Sequence, residues 1–167
     1  PLVLLAEDNE INQEVVTELL GQLGYRFRCL GNGREVVAVV EAGGADVVLM
    51  DCQMPGMDGY QATRAIRNWE QGSGANRRVP IIALTAHAMS GDRERCVAAG
   101  MDDYLSKPLD PELLAAKLAL WSGWELAKAK NGGSHRNGSG GRSDVAGGTM
   151  NANERTQAEA GRQSSGL

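Results

Sequence analysis

Five short apolar runs alternate with five helical segments along the first three quarters of this chain, and that alternation constrains the fold more than any other feature. Residues 2–6, 25–30, 47–50, 81–85 and 103–105 read as strands. Between them, Ile11, Val15, Leu19 and Leu23 fall on one face of a helix that Gly24 can end. Val36, Val37 and Val40 mark a short helix closed by Gly43 and Gly44, and residues 60–69 form a third, followed by a polar loop over 71–78. Residues 90–99 give a fourth helix, with Ser90 as its cap and Gly100 at its end. The fifth opens with Asp110, Pro111 and Glu112, a cap, a first-turn proline and an acid at the positive end of the dipole, and continues through Leu114, Leu118 and Trp121.

Strict strand–helix alternation implies an α/β fold, a parallel sheet with helices on both faces. The run VVLM at 47–50 is apolar throughout, as a central parallel strand is. With five strands, the expected architecture is a flavodoxin-like (βα)5 fold of strand order 2-1-3-4-5. It occupies residues 1–124. Residues 125–167 differ in character: Gly, Ser, Asn and Arg dominate, and large apolar residues are sparse. Such a stretch cannot bury enough surface to offset its ordering entropy, so it is expected to be a disordered tail or linker, with a weak helix near 153–160. Its glycines have no Walker-type spacing.

Composition adds exclusions. The net charge is −4, which gives no basic footprint for nucleic acid. Apolar runs are too short to cross a bilayer, so no membrane contact is expected from this domain. Cys29, Cys52 and Cys96 are far apart and odd in number, and they read as reduced thiols of a cytoplasmic protein. The chain opens on Pro1 directly before a strand, which reads as a fragment of something longer.

In a sheet of this order, ligands bind outside the carboxyl ends of the strands, where strands 1 and 3 part company. Glu7 and Asp8 follow strand 1, Asp51 follows strand 3, Thr85 ends strand 4, and Lys107 follows strand 5. Each alone has a plain reading as a solvated loop acid, a helix cap or a surface lysine. Together they place three carboxylates, a hydroxyl and an ammonium on one edge. Packed carboxylates repel, so at least one pKa should rise in the absence of a cation. Oxygen ligation by carboxylates, water and phosphate suits Mg²⁺, with Mn²⁺ as a substitute.

Four motifs carry a family resemblance: VLLAEDNEIN at 3–12, VLMDCQMPGMDG at 48–59, PIIALTA at 80–86 and GMDDYLSKPL at 100–109. In this order they resemble a response-regulator receiver (CheY-like) domain over residues 1–122, most like the receivers attached to hybrid sensor histidine kinases. The resemblance implies that Asp51 is the phosphoacceptor, taking a phosphoryl group from a phosphohistidine. It implies that Asp8 binds Mg²⁺ directly, Glu7 through water, and Gln53 through its backbone carbonyl. Lys107 would pair with phosphoryl oxygens and Thr85 would hydrogen-bond them. Thr85 and Tyr104 would form the switch, and helix 4, strand 5 and helix 5 the signalling face. The Lys107–Pro108 bond would be cis. Partners would be a histidine kinase or a histidine phosphotransfer protein, in the cytoplasm or tethered through a membrane-bound parent kinase.

Other residues read less sharply. Gln53 and His87 are placed to tune how water reaches an acyl phosphate, and His87 reads equally as a solvated loop histidine. Asp102 and Asp103 read as solvated loop or strand-edge acids. Pro55 and Gly56 form a turn that keeps the loop after Asp51 open to a donor. Two rivals remain. A receiver-like interaction module without phosphorylation would not need the full set of Asp8, Asp51, Thr85 and Lys107. A Mg²⁺-dependent aspartyl phosphohydrolase would carry its nucleophile after strand 1 and a second Asp two residues on, where Gln53 stands.

Overall fold

The computed structural model describes residues 1–74, 76–87 and 90–124. The expected tail, with its weak helix, lies outside the described residues, as does the side chain of Ser90. Ten elements alternate: β1 (Leu2–Ala6), α1 (Glu10–Gln22), β2 (Arg26–Leu30), α2 (Gly33–Glu41), β3 (Val47–Asp51), α3 (Gly59–Gly72), β4 (Ile81–Thr85), α4 (Ser90–Ala99), β5 (Asp103–Ser106) and α5 (Pro111–Ser122). All pairings are parallel and the order is β2-β1-β3-β4-β5, as expected.

Alternation along each strand divides the core in two. Leu4, Ala6, Val48, Met50, Ile81 and Ala83 face α2, α3 and α4, where Val36, Ile66 and Cys96 meet them. Val3, Leu5, Val47, Leu49, Ile82 and Leu84 face α1 and α5, where Val16, Leu20, Leu114 and Leu118 meet them. Every residue of β3 and β4 is buried, which explains why those strands are apolar without alternation. Edge strand β2 instead exposes Arg26, Phe27 and Arg28.

Caps fix where the helices begin. Asn9, Asn32, Asp58 and Asp110 each accept a hydrogen bond from a first-turn amide. Asp58 and Gln61 complete a capping box, which sets the start of α3 eight residues after Asp51.

Two expectations need correction. Helix α3 runs on to Gly72, beyond the expected 69, because Glu70 pairs with Arg67 inside the helix at 2.7 Å and accepts the Val79 amide at 2.8 Å. Asp102 and Asp103 are not solvated. Asp102 accepts from Arg67, Arg78 and the Ile81 amide, each at 2.8 Å. Asp103 binds the Lys117 ammonium and, at 2.9 Å, the Trp121 indole N–H. Taking a carboxylate out of water without such partners would be costly.

Candidate functional site

The crossovers from β1 and β3 leave in opposite directions, so a cleft opens between their carboxyl ends. Glu7, Asp8 and Asp51 meet there, with one carboxylate oxygen from each lying within 4.8 Å of the others. Asp51 is the last residue of β3 rather than the residue after it. Its side chain is nearly buried, Glu7 is fully buried at 1% exposure, and Asp8 is exposed at the rim.

Lys107 comes to this cluster from the loop after β5. Its Nζ donates to Glu7 Oε2 at 2.6 Å and to Asp51 Oδ2 at 3.0 Å. The Lys107–Pro108 peptide bond is cis. The Lys107 amide donates to the Thr85 carbonyl at 2.7 Å, which ties the loop to the end of β4. The other oxygens are held as well. Asp51 Oδ1 accepts from the Gln53 amide at 3.0 Å. Glu7 Oε1 accepts from the Asn9 amide at 3.1 Å and Asn12 Nδ2 at 3.3 Å.

These contacts split the acidities. Burial pushes the Asp51 carboxyl above its ordinary range, and the Gln53 amide and Lys107 only partly offset it. The expected upward shift is therefore present, but burial is its main cause and the neighbouring Glu7 charge its smallest. Burial acts against ionised Glu7 too, yet Lys107 and the Asn9 amide outweigh it and hold that carboxyl below the usual range. Burial also disfavours the Lys107 cation, and the two carboxylates overcome it, leaving the ammonium more basic than usual.

Thr85 is buried at the end of β4, and its hydroxyl is turned onto its own loop. Oγ1 donates to the His87 carbonyl at 3.0 Å and accepts the His87 amide at 3.2 Å. His87 itself is exposed. A cavity of about 450 Å³ opens on this edge, bordered by Asp8, Gln53, Thr85, His87 and Arg95. Tyr104 stands on β5 opposite Ala83 and is half-buried.

The donor set fits a small hard cation. It offers carboxylate oxygens only, from three side chains close enough to share one ion, with no nitrogen or sulfur ligand among them.

Two supporting features were not read from the sequence. Gly59 sits where a Cβ would come within 2.1 Å of the Asp51 carbonyl oxygen, so α3 can start against β3 only without a side chain there. The Asp-Gly pair at 58–59 was the available signal. Buried Cys52 and Cys96 lie 4.0 Å apart, sulfur to sulfur, joining the residue after Asp51 to α4.

Comparison with known proteins agrees with this geometry. The family described as the response regulator receiver domain matches residues 3–119. The chain is 44% identical over 126 residues to the sensor protein GacS of Pseudomonas syringae pv. syringae, a match that covers 75% of the chain but 14% of GacS. Among solved structures, it resembles the receiver domain of sensor histidine kinase PA1611 from Pseudomonas aeruginosa PAO1, which holds a magnesium ion in its active site cleft. That match has a TM-score of 0.65 and 48% identity, and covers 73% of this chain and 97% of that one. A second is the receiver domain of the response regulator Ssk1, crystallised with the Saccharomyces cerevisiae phosphotransfer protein Ypd1. Its TM-score is 0.68 at 32% identity, covering 74% of this chain and 90% of that one.

Proposed function

The chain belongs to the response regulator receiver family, and from that premise we propose that Asp51 accepts a phosphoryl group from the phosphohistidine of a histidine kinase or histidine phosphotransfer protein. One observation carries the reading: a nearly buried Asp51 carboxylate shares the Lys107 ammonium with Glu7 at the mouth of an open cleft.

In the transfer, an Asp51 carboxylate oxygen bonds to phosphorus as the phosphorus–nitrogen bond breaks. The electron pair leaves on the imidazole nitrogen. Such a transition state spreads charge over the equatorial oxygens, so positioned cations and donors supply most of the help a protein can give. Lys107 is already within reach of Asp51 and turns to the phosphoryl oxygens. Thr85 donates its hydroxyl to them once it leaves the His87 carbonyl. Asp8, Asp51 and the Gln53 carbonyl would hold Mg²⁺, with Glu7 acting through water. When bound, Mg²⁺ neutralises charge on the phosphoryl oxygens, and Mn²⁺ substitutes because it also prefers oxygen ligands.

The phosphoryl group adds roughly −1.5 to −2 charge. Thr85 moves towards it, Tyr104 turns inward after the loop, and the face made by α4, β5 and α5 changes. Gln53 and His87, on the two loops beside the site, set how readily water hydrolyses the product. The domain thus promotes only its own phosphorylation and dephosphorylation, as the receiver part of a larger hybrid kinase in the cytoplasm or tethered through that kinase. The names of the sensor proteins it resembles and the 14% of GacS that it spans support its place in a larger kinase.

The test is phosphorylation by acetyl phosphate, or beryllofluoride binding, with and without Mg²⁺. A spectral change that needs Mg²⁺ and vanishes in Asp51→Asn is expected. A wild-type chain that shows none would instead be an interaction module, and rapid turnover of p-nitrophenyl phosphate would make it a hydrolase.

A further inference from the structure

Two cations lie over the Tyr104 ring. The Arg93 guanidinium carbon lies 5.8 Å from the ring centroid, reaching from α4. Lys117 Nζ lies 5.5 Å from it, reaching from α5. Both distances fall within the range over which the negative face of an aromatic ring attracts a cation.

The two cations are held differently. Asp103, which precedes Tyr104 on edge strand β5, binds the Lys117 ammonium through Oδ1 and the Trp121 indole N–H through Oδ2. Lys117 is thereby fixed beside the ring, with only a fifth of its side chain exposed. Arg93 is exposed and makes no ion pair or hydrogen bond among the described residues, so the ring is its one recorded partner.

The position of Tyr104 in the sheet gives these contacts a consequence. Tyr104 pairs with Ala83, and Thr85 lies two residues further along the same face of β4. Thr85 is meanwhile bound to the His87 backbone. The Tyr104 ring and the Thr85 side chain thus stand in line on one face of the sheet. A turn of the ring towards Thr85 that took it out of reach of the two cations would forfeit their attraction.

We propose that Arg93 and Lys117 form a cationic latch that holds the Tyr104 ring in its present position and sets how much of the unphosphorylated chain adopts the active conformation. The proposal rests on the phosphoacceptor reading above and adds two positioning residues that act through Tyr104. A ligand selective for the active state binds less tightly by the factor that the latch removes from that state's population. Each cation should account for a factor of about two to five.

The test uses 3-fluorotyrosine incorporation, which gives three fluorine signals, from Tyr25, Tyr60 and Tyr104. The Tyr104 signal is assigned through Tyr104→Phe. In Arg93→Met and Lys117→Met, without phosphoryl analogue, that signal should move towards the position it takes in wild type with Mg²⁺ and beryllofluoride. Beryllofluoride should bind each variant about threefold more tightly. Lys117→Arg should restore both readings, since it keeps the cation. A purely structural role would lower the unfolding midpoint without tightening beryllofluoride. Unmoved signals and unchanged affinity in both Met variants, beside a responsive wild type, overturn the latch alone. Tightening that persists in a Tyr104→Leu background also overturns it, because the cations would then act elsewhere. A wild-type chain that ignores beryllofluoride overturns the phosphoacceptor reading and takes the latch with it.

Discussion

Lys107 lies 56 residues beyond Asp51 in sequence, and its ammonium donates to Asp51 Oδ2 at 3.0 Å while also donating to the fully buried Glu7. One cation therefore neutralises part of two buried carboxylates that would otherwise face each other. Lys107→Met removes it. Glu7 then keeps a charge without its strongest partner, and stability should fall by about 2 kcal/mol. Beryllofluoride binding should weaken about tenfold or more, since phosphoryl-like oxygens lose a charged donor. Urea unfolding and a beryllofluoride titration on the same preparation read both effects.

Asp51 is the destabilised member of this cluster. Its folded pKa lies above its unfolded value. A carboxyl raised in this way favours folding below the unfolded pKa and loses that contribution as pH rises through the folded one. At neutral pH the ionised group costs stability, so Asp51→Asn should unfold at higher urea than wild type in EDTA. Mg²⁺ reverses the order. At a hundred times its dissociation constant it should stabilise wild type by about 2.7 kcal/mol and leave Asp51→Asn nearly unchanged. EDTA then returns wild type to its lower midpoint.

Much of this site was legible because parallel strands deliver their last residues to one edge. Knowing that Asp51, Thr85 and Lys107 stand at or just after strand ends was enough to bring them together. The side-chain partners of Asp102 and Asp103 were not legible, since Arg67 and Arg78 lie 35 and 24 residues away from Asp102 in sequence. No local period marks such pairs. The last residues of α3, from 70 to 72, were missed for the same reason: Glu70 is held by Arg67 and by the Val79 amide nine residues on. Gly59 stood in a quoted motif, but its crowding against the Asp51 carbonyl depends on how α3 docks.

Arg67 is the least expendable residue away from the cleft. It is 6% exposed, and it donates to Glu70, to Asp102 and to the carbonyls of Val79 and Gly100. Removing it leaves Asp102 with Arg78 and the Ile81 amide, and leaves Glu70 with the Val79 amide and no cation. Arg67→Met should cost about 3 kcal/mol, the low end of the range for breaking a buried pair, because both carboxylates keep other donors. Adding Glu70→Gln should recover part of that loss, since Glu70 is the carboxylate left without a cation. Chemical denaturation of the three chains checks both statements.

Asp103 gives the molecule an acid-sensitive joint. Burial opposes its ionised form, but Lys117 and the Trp121 indole outweigh burial and hold the folded pKa below the ordinary value. A depressed carboxyl contributes stability that is fully present above its unfolded pKa of about 3.9 and is lost as pH falls through the lower folded value. Unfolding free energies measured from pH 6 down to pH 2 should therefore fall less steeply for Asp103→Asn than for wild type. Trp121 fluorescence should shift over the same interval in wild type only. Equal slopes for the two chains would show that this carboxylate is not what acid releases.

Gly59 tests whether the start of α3 sets the position of the phosphoacceptor. A methyl group there would lie 2.1 Å from the Asp51 carbonyl oxygen and 3.0 Å from Cys52 Cα, both backbone atoms that no rotamer change can move aside. Either the helix start backs away or the end of β3 shifts. Gly59→Ala should cost about 1–3 kcal/mol, the usual penalty for overpacking. The more telling effect is on chemistry, because a displacement of about 1 Å at a reacting carboxylate can slow a reaction about a hundredfold. Phosphorylation by acetyl phosphate should therefore slow at least about tenfold in the folded variant, well below its unfolding midpoint. A variant of reduced stability but wild-type phosphorylation rate would mean that α3 gives way and Asp51 stays where β3 puts it.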